Sequence, residues 1–413
     1  MTGTRNLWPR SRSRSLEWLV FETRTQPFFD NLFGELCERM VEDGVPVDRA
    51  SVHMRTLHPQ FQAGSVQWEP GFEMAQLTMY VHGGLSSDAF LNSPLRPIFA
   101  GEVGAIRQRL DIPLPEGAAR YDIYDELRER GMVDYVVMPM EFVSGTIHAA
   151  SWATRQDGGF TTDQLQIIND LMPVLGMVLE VRLNRRITRN LLNTYVGTRA
   201  GERILAGDIQ RGSGETITAA IWHCDLRGFT HLSESLARDE LIECLNDYFD
   251  TMASPVLEAG GEVLKFMGDA MLAIFPLENR AACQRAFSAA IKAIEGMKAL
   301  NARRRDEGRN EVGFGLVLHV GDVMYGNIGA VSRLDFTVIG PAVNVAARLD
   351  GLTKDLRREL LLSGEFVAMC EGMRMFLPRI GSYHLRGVDR EVEVYGLPDD
   401  MPLRQGELAS AAS

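Results

Sequence analysis

The sequence predicts an α+β protein of two domains, and three observations support this prediction. The 413 residues exceed what one ordinary hydrophobic core takes up. Strand-like and helix-like patterns are mixed through residues 17–180 and alternate through residues 215–398, which indicates sheets covered by helices. Between these regions, apolar positions recur every three or four residues, as on one face of a long helix. We therefore expect a helical, glycine-punctuated linker at 181–214.

Composition and charge exclude several classes of protein. Hydrophobic residues make up 45% of the chain, which is ordinary for a globular protein. The net charge of −12 disfavours a general nucleic-acid-binding role. The five scattered cysteines lack C-x-x-C spacing, which argues against zinc and disulfides and predicts a cytoplasmic protein. Since no run of 18 apolar residues occurs, no transmembrane segment is expected.

The two ends of the chain are expected to be flexible. Residues 1–16 are basic and lack a signal-peptide core, so we expect a disordered arm. Contact of this arm with a membrane or an acidic partner is the alternative. Residues 399–413 are small and polar, which predicts a flexible tail.

The N-terminal domain has three clear strand patterns and one helix start. Residues 76–81, 135–140 and 145–152 read as strands, and the last two are expected to pair across a short turn. Thr161, Thr162 and Asp163 are candidate N-caps of the long helix that follows.

The apolar stripe of that helix continues beyond the N-terminal domain. We expect its first half to pack on its own domain and its second half to dimerise as a coiled coil. The stripe comprises Ile168, Met172, Leu175, Leu179, Leu183, Ile187, Leu191 and Tyr195.

Two aspartates are the strongest functional signal. Asp225 ends an apolar run that starts at Ala219, and Asp269 belongs to a Gly-Asp pair flanked by apolar residues, typical of a β-hairpin turn. An aspartate after a buried strand beside an aspartate at a hairpin tip is a common way to hold divalent cations. Two such ions activate an attacking oxygen and stabilise a leaving one, so the pair predicts phosphoryl chemistry on a nucleotide.

Four polar residues accompany the aspartates. Lys265 lies four residues before Asp269, and Thr337 lies in the predicted strand 335–339. Asn344 and Arg348 share one face of a helix that Pro341 opens. Asn suits a ribose oxygen and Arg suits phosphate oxygens.

The remaining elements of this domain follow from hydrophobic periodicity. Helices are expected at about 239–257, 280–304 and 342–351, and strands at 312–320 and 323–328.

Four motifs of this domain resemble those of class III nucleotidyl cyclases. They are residues 224–230 (CDLRGFT), 265–269 (KFMGD), 335–340 (DFTVIG) and 343–348 (VNVAAR), in the order and spacing of that family. The resemblance implies a ferredoxin-like, palm-type α/β sandwich at 215–398. It further implies a homodimer whose shared sites take both metal aspartates from one chain and Lys265, Thr337, Asn344 and Arg348 from the other.

The resemblance also implies the reaction. Lys265 and Thr337 stand where the family reads the nucleotide base, and guanylyl enzymes typically carry Glu and Cys there, so ATP is expected. Thr replaces an Asp found in other members, which implies looser discrimination against GTP. Phe229 and Thr230 are assigned to substrate binding, and Arg386 to the terminal phosphates.

The implied reaction is attack of the ribose 3′-hydroxyl on the α-phosphorus, with loss of pyrophosphate and formation of cyclic AMP. Two Mg²⁺ or Mn²⁺ ions per site assist, Arg348 neutralises charge on the phosphoryl group and Asn344 orients the ribose.

Each residue also has a structural interpretation. Asp225 and Asp269 are ordinary cap and turn residues, and Arg348 alone is a solvated helix charge. His223 and Cys224, beside Asp225, are taken as structural. A purely structural interpretation is less satisfactory for Lys265, because a lysine in an apolar strand needs a partner.

Residues 17–180 faintly resemble a GAF-like sensor that binds a small molecule and regulates the cyclase domain. Four histidines, His53, His58, His82 and His148, are interpreted as structural rather than as haem or metal ligands. Two alternatives to an adenylate cyclase stay open, namely a catalytically weak nucleotide-binding module and guanylate cyclase activity.

Overall fold

The chain folds into two compact units, residues 1–191 and 192–413, each with its own core. The computed structural model describes residues 9, 13–72, 74–277, 281–370 and 375–398. The expected tail at 399–413 and most of the expected arm at 1–16 lie outside these residues, and the first helix begins at Arg14. The α+β fold class is confirmed in the secondary structure of both units.

The N-terminal unit is a six-stranded antiparallel sheet in the order β3-β2-β1-β6-β5-β4. The strands are β1 (Arg49–Arg55), β2 (Phe61–Trp68), β3 (Gln76–Val81), β4 (Ile106–Arg109), β5 (Asp134–Glu141) and β6 (Ile147–Thr154). The helices are α1 (Arg14–Phe21), α2 (Phe29–Glu42), α3 (Asp88–Leu91), α4 (Leu95–Phe99), α5 (Asp122–Glu129) and α6 (Thr162–Val196).

Both faces of this sheet are covered. Side chains of α1, α2 and α6 pack on one face, where Trp152 is fully buried, and α4 and α5 cover the other. The predicted strands and the β5–β6 pairing are confirmed. The GAF-like assignment of this unit stays a prediction.

The long helix α6 is buried only along its first half. Leu175, Leu179 and Leu183 are buried, Ile187 and Leu191 are half-buried, and Tyr195 is 78% exposed. Its start is capped by Thr161, whose hydroxyl accepts a hydrogen bond from the Gln164 amide. The expected packing of the first half is therefore confirmed, and the apolar positions beyond it are covered only in part by the described residues.

The C-terminal unit contains a β-α-β-β-α-β core with strand order β10-β7-β9-β8, all antiparallel, as in the ferredoxin-like arrangement. The strands are β7 (Gly214–Leu226), β8 (Glu262–Met267), β9 (Ala270–Pro276), β10 (Phe314–Ala330), β11 (Arg333–Ile339), β12 (Leu360–Ser363), β13 (Arg379–His384) and β14 (Glu391–Tyr395). The helices are α7 (Thr198–Leu205), α8 (Phe229–Ser235), α9 (Arg238–Glu258), α10 (Ala281–Asp306), α11 (Pro341–Asp355) and α12 (Gly364–Met369).

This sheet packs against a hydrophobic core on each of its two faces. Helices α9 and α10 bury Trp222 and Phe275 on one face, and α11 packs Val345 and Leu349 on the other. The helix positions predicted from periodicity are confirmed. In the described parts of the chain, no helix combines the length and apolar character needed to cross a membrane.

The prediction of separate strands at 312–320 and 323–328 is wrong, because β10 runs without a break from Phe314 to Ala330. Gly321-Asp322 resembles a turn in sequence, yet both residues pair with β7, opposite Ala219 and Thr218. A Cβ at Gly321 would lie 2.6 Å from the Cβ of Ala342. Glycine is therefore needed there because α11 packs close to the strand, not because the chain turns.

Buried His319 of β10 makes the stability of the C-terminal unit depend on pH. Its Nδ1 lies 2.8 Å from Ser363 Oγ, and burial lowers the pKa of His319 to about 4, with Arg390 adding to the shift and Glu365 opposing it. In the unfolded chain a histidine titrates near pH 6.5. Between about pH 6.5 and 4 the unfolded chain thus binds a proton that the folded chain does not, so stability falls as the pH falls.

We expect His319→Gln to flatten this dependence. The free energy of unfolding of the wild type should drop by about 1–3 kcal/mol more than that of the variant between pH 7 and pH 4.5. Urea unfolding at the two pH values measures it. The same loss of stability in both proteins would contradict the assignment.

Candidate active site

The first site residue, Asp225, lies at the end of β7 in the middle of the sheet. It is paired with Gly315 of β10, and its side chain is 21% exposed. Its Oδ1 is buried and has no hydrogen-bond partner among the described residues. A buried carboxylate oxygen without a partner is costly, so it marks a place where a further group is expected to bind.

The second site residue, Asp269, lies in the turn between β8 and β9, as predicted. Gly268 before it has φ 67°, a conformation that glycine adopts at little cost. The turn brings the Asp269 carboxyl group close to that of Asp225. Burial and then the neighbouring Asp225 raise the pKa of Asp269 to about 6, because each disfavours the charged form.

Lys265 of β8 lies close to β11, the strand that contains Thr337. Lys265 Nζ is 3.8 Å from Oδ2 of Asp335, two residues before Thr337 on β11. Thr337 is only 4% exposed, and its Oγ1 lacks a hydrogen-bond partner in the described part of the structure. The side chains of Lys265 and Asp335 are 35% and 59% exposed, so they form a solvent-accessible ion pair, which the sequence analysis did not identify.

Asn344 and Arg348 lie on the outer face of α11, and both are exposed. At about 100° per residue, Asp350 and Lys354 lie roughly 200° and 240° around the helix from Arg348. Lys354 Nζ is 3.7 Å from Asp225 Oδ2, so the opposite side of α11 faces the aspartates of its own chain. The structure therefore does not bring Asn344 and Arg348 to Asp225 and Asp269 within one chain.

The remaining predicted residues are distributed around the sheet. Phe229 begins α8 just after β7 and packs against the core, whereas Thr230 is exposed. Arg386 is exposed in the turn between β13 and β14. No contact joins Arg386 to the aspartates among the described residues.

Sequence reasoning missed Asp350 and Lys354. Asp350 is 6% exposed, and burial raises the pKa of its carboxyl group. Lys354 and Arg227 oppose this shift, and Asp269 adds to it. Their i, i+4 spacing directly after Arg348 was visible in the sequence, and it could have predicted a second, inward-facing polar side of α11.

His53 and His148 make hydrogen bonds within the N-terminal unit. His148 Nδ1 accepts a hydrogen bond from the Arg55 amide, and His53 Nε2 lies 2.9 Å from Ser51 Oγ. Cys224 is fully buried, and burial raises its pKa to about 11. Across the described ranges, no group of three or more His, Cys, Asp or Glu side chains is arranged to hold a metal ion.

The C-terminal unit thus contains a ferredoxin-like sheet that brings Asp225 and Asp269 close together and also carries Lys265 and a buried Thr337. The family of adenylate and guanylate cyclase catalytic domains matches residues 213–398. This match confirms the resemblance seen in the four motifs of this segment.

Similar proteins include cyclases from several organisms. An adenylate cyclase of Anabaena cylindrica is 35% identical over 193 residues, covering 46% of this chain and 36% of the relative. Adenylate cyclase 1 of Rhizobium meliloti (strain 1021) is 32% identical over 173 residues, covering 41% and 26%. Among solved structures, the adenylyl cyclase CyaB from P. aeruginosa aligns with a TM-score of 0.41 and 27% identity, over 46% of this chain and 99% of that one.

The chain thus matches about a third or less of the length of these two curated relatives. The similarity lies in the cyclase domain.

Proposed function

We propose that this chain is an adenylate cyclase that converts ATP to 3′,5′-cyclic AMP and pyrophosphate at sites shared between two copies. The observation that carries the proposal is the pair Asp225 and Asp269, whose carboxyl groups meet at the strand ends of a cyclase-family domain. Relatives that are adenylate cyclases by name support ATP as the substrate.

The two aspartates fit a divalent cation. Asp225 Oδ1 is buried without a partner, and the proximity of the two carboxyl groups raises the pKa of Asp269, so a cation between them would relieve both costs. Because hard cations prefer oxygen ligands, Mg²⁺ or Mn²⁺ suits this donor set, with substrate phosphates completing the coordination. When bound, two such ions would supply activation of the ribose 3′-hydroxyl and neutralisation of the triphosphate.

The chain's own residues then bind and orient the nucleotide. Arg348 of one chain neutralises the charge that develops on the α-phosphoryl group of the nucleotide at the Asp225–Asp269 site of the other chain. Asn344, one helical turn before it, holds the ribose so that its 3′-hydroxyl is in line with the phosphorus. The outward orientation of both side chains on α11 supports a site that two copies complete together. Phe229, Thr230 and Arg386 are assigned to the triphosphate end of the substrate.

Regulation by the N-terminal unit is part of the proposal. Helix α6 is continuous from Thr162 to Val196, so it starts in the N-terminal unit and ends in the catalytic one. Beyond Leu183 its apolar stripe is covered only in part, with Ile187 and Leu191 half-buried and Tyr195 exposed, which supports dimerisation through this segment.

The proposal is tested by incubating the purified chain with ATP or GTP and Mg²⁺ or Mn²⁺, and identifying the products by mass. Cyclic AMP is expected. Cyclic GMP alone would overturn the choice of nucleotide, and ATP binding without any cyclic product from either the full chain or residues 186–413 would indicate a binding module.

Nucleotide choice is expected to depend on Lys265 and Thr337. The Lys265 ammonium can donate to an adenine ring nitrogen, and the Thr337 hydroxyl, which has no partner among the described residues, can accept from the adenine amino group. Lys265→Glu with Thr337→Cys replaces this pattern. We expect the ratio of kcat/KM for ATP over GTP to fall roughly 100-fold or more, since unpaired polar groups reject the wrong base. The exposed Lys298→Glu variant is the matched charge control. An unchanged ratio in the double variant would refute the base-reading role.

A further inference from the structure

The N-terminal unit contains a cavity of about 510 Å³ that the proposed reaction does not use. It lies between α6, the segment that leads into α2, and the sheet surface formed by β1, β2 and β3. Its volume falls in the range of small-molecule sites, roughly 300–1,000 Å³. The cavity is therefore large enough for an organic ligand.

The deep part of the cavity is apolar. Its wall includes Phe29, Met54, Val66, Leu77 and Leu179. Met54, Val66 and Leu179 are at most 7% exposed. Gly64 leaves room in this wall, because it presents no side chain to the space. Such a lining gains free energy by accepting an apolar body from water.

The part lined by the later turns of α6 is cationic. On the side of this helix that lines the cavity, Leu179 and Leu183 are followed by arginines toward the C-terminus. The lining arginines are Arg182, Arg185, Arg186 and Arg189. Arg182, Arg185 or Arg186, and Arg189 are separated by three or four residues, so these arginines lie on one side of the helix. One carboxylate, Asp30, also lines the cavity, so the charge there is predominantly positive.

Three of the four arginines that line the cavity have no carboxylate partner among the described residues. Arg182 donates to the carbonyl oxygens of Thr23 and Gln26. Arg185, Arg186 and Arg189 are exposed and form no ion pair with a carboxylate among the residues described. Many arginines elsewhere in the unit pair with Asp or Glu, whereas Arg14, Arg24 and Arg55 have no ion pair with a described carboxylate either. The paired arginines include Arg39, Arg96, Arg107, Arg128, Arg130 and Arg155.

The chain carries a net charge of −12, so acidic side chains are abundant in it. Nevertheless, no described carboxylate pairs with Arg185, Arg186 or Arg189. Three uncompensated cations beside an apolar cavity match an anion that has an apolar body. Guanidinium groups bind carboxylate and phosphate oxygens in a bidentate manner, whereas a neutral apolar ligand would leave them unused.

We infer that the cavity is a binding site for a small amphipathic anion, with an alkyl or similar apolar body among Met54, Val66 and Leu179 and an acidic head group held by Arg186 and Arg189. Since the site lies on α6, the helix that continues to the catalytic unit, it is where a ligand of this class acts on the N-terminal unit. Ligand binding to this site can be measured whether or not the chain turns over nucleotide.

The test is isothermal titration calorimetry of the full chain with dodecanoate below its micelle-forming concentration. One dodecanoate per chain is expected, with much weaker binding of dodecyltrimethylammonium, which has the same body and the opposite charge. Arg186→Ala with Arg189→Ala should weaken dodecanoate binding about tenfold or more, since each charged hydrogen bond contributes more than a neutral one. Arg120→Ala, an exposed arginine outside the cavity, is the matched control.

A second variant tests the apolar part. Gly64→Leu places a side chain in the cavity, where the nearest atom to its Cβ is Met79 Sδ at 3.1 Å, the end of a flexible side chain. It should abolish binding while the far-ultraviolet circular dichroism stays that of the wild type. Absence of dodecanoate binding to the wild type, equal binding of the cationic probe, or unchanged affinity in the double arginine variant would each overturn the inference.

Discussion

Replacing Asp269 by alanine is expected to lower cyclic AMP formation by about a thousandfold or more, because loss of a cation ligand removes several kcal/mol of transition-state stabilisation. Folding should be unaffected, since Asp269 lies in a solvent-accessible turn whose Gly268 and strand pairing remain. Burial and the neighbouring Asp225 both disfavour the charged Asp269 carboxylate in the folded chain, so alanine at this position also removes that electrostatic cost. The measurement is the initial rate of cyclic AMP formation at saturating ATP and Mg²⁺.

Asp250→Ala is the control for this variant, because Asp250 is an exposed aspartate on α9 with no part in the proposed site. It should retain wild-type turnover. Turnover of Asp269→Ala within a few-fold of the wild type would remove Asp269 from the catalytic machinery.

Arg348→Ala is expected to keep ATP binding and to lower turnover by roughly 10²–10⁴, as for other arginines that neutralise a phosphoryl group in its transition state. Arg348 is exposed on α11, so its removal leaves the core formed by Val345 and Leu349 intact. The affinity for ATP is measured by calorimetry and the turnover by product formation. A loss confined to affinity would show that Arg348 contributes equally to the ground state and the transition state.

The matched control is Arg305→Ala, in which an exposed arginine paired with Glu311 is lost from α10. Neither affinity nor turnover should change in this variant. Wild-type turnover in Arg348→Ala would contradict its assigned role.

Much of the catalytic domain was predictable because its signals are local. The strand before Asp225, the Gly-Asp turn at Asp269 and the start of α11 at Pro341 each depend on a few neighbouring residues. The four motifs added the family, which composition and periodicity alone do not give.

What escaped prediction depends on contacts between distant segments. Gly321 resembles a turn residue until α11 is seen to pack against it, so one long strand was divided into two. Lys354 lies beside Asp225 only because α11 crosses the sheet face, and the register between them is not encoded in either segment alone. The arginines at the cavity of the N-terminal unit similarly resemble a solvated helix face until the sheet below them is in place.

The shared site between two copies is the central claim, and mixing two inactive variants tests it most directly. Asp225→Ala and Arg348→Ala chains are each expected to be nearly inactive alone. When they are co-expressed, half of the dimers are mixed and each has one intact site, so about a quarter of wild-type cyclic AMP formation should return. If co-expressed chains form mixed dimers, as verified by two affinity tags, and still make no cyclic AMP, the shared-site account is contradicted.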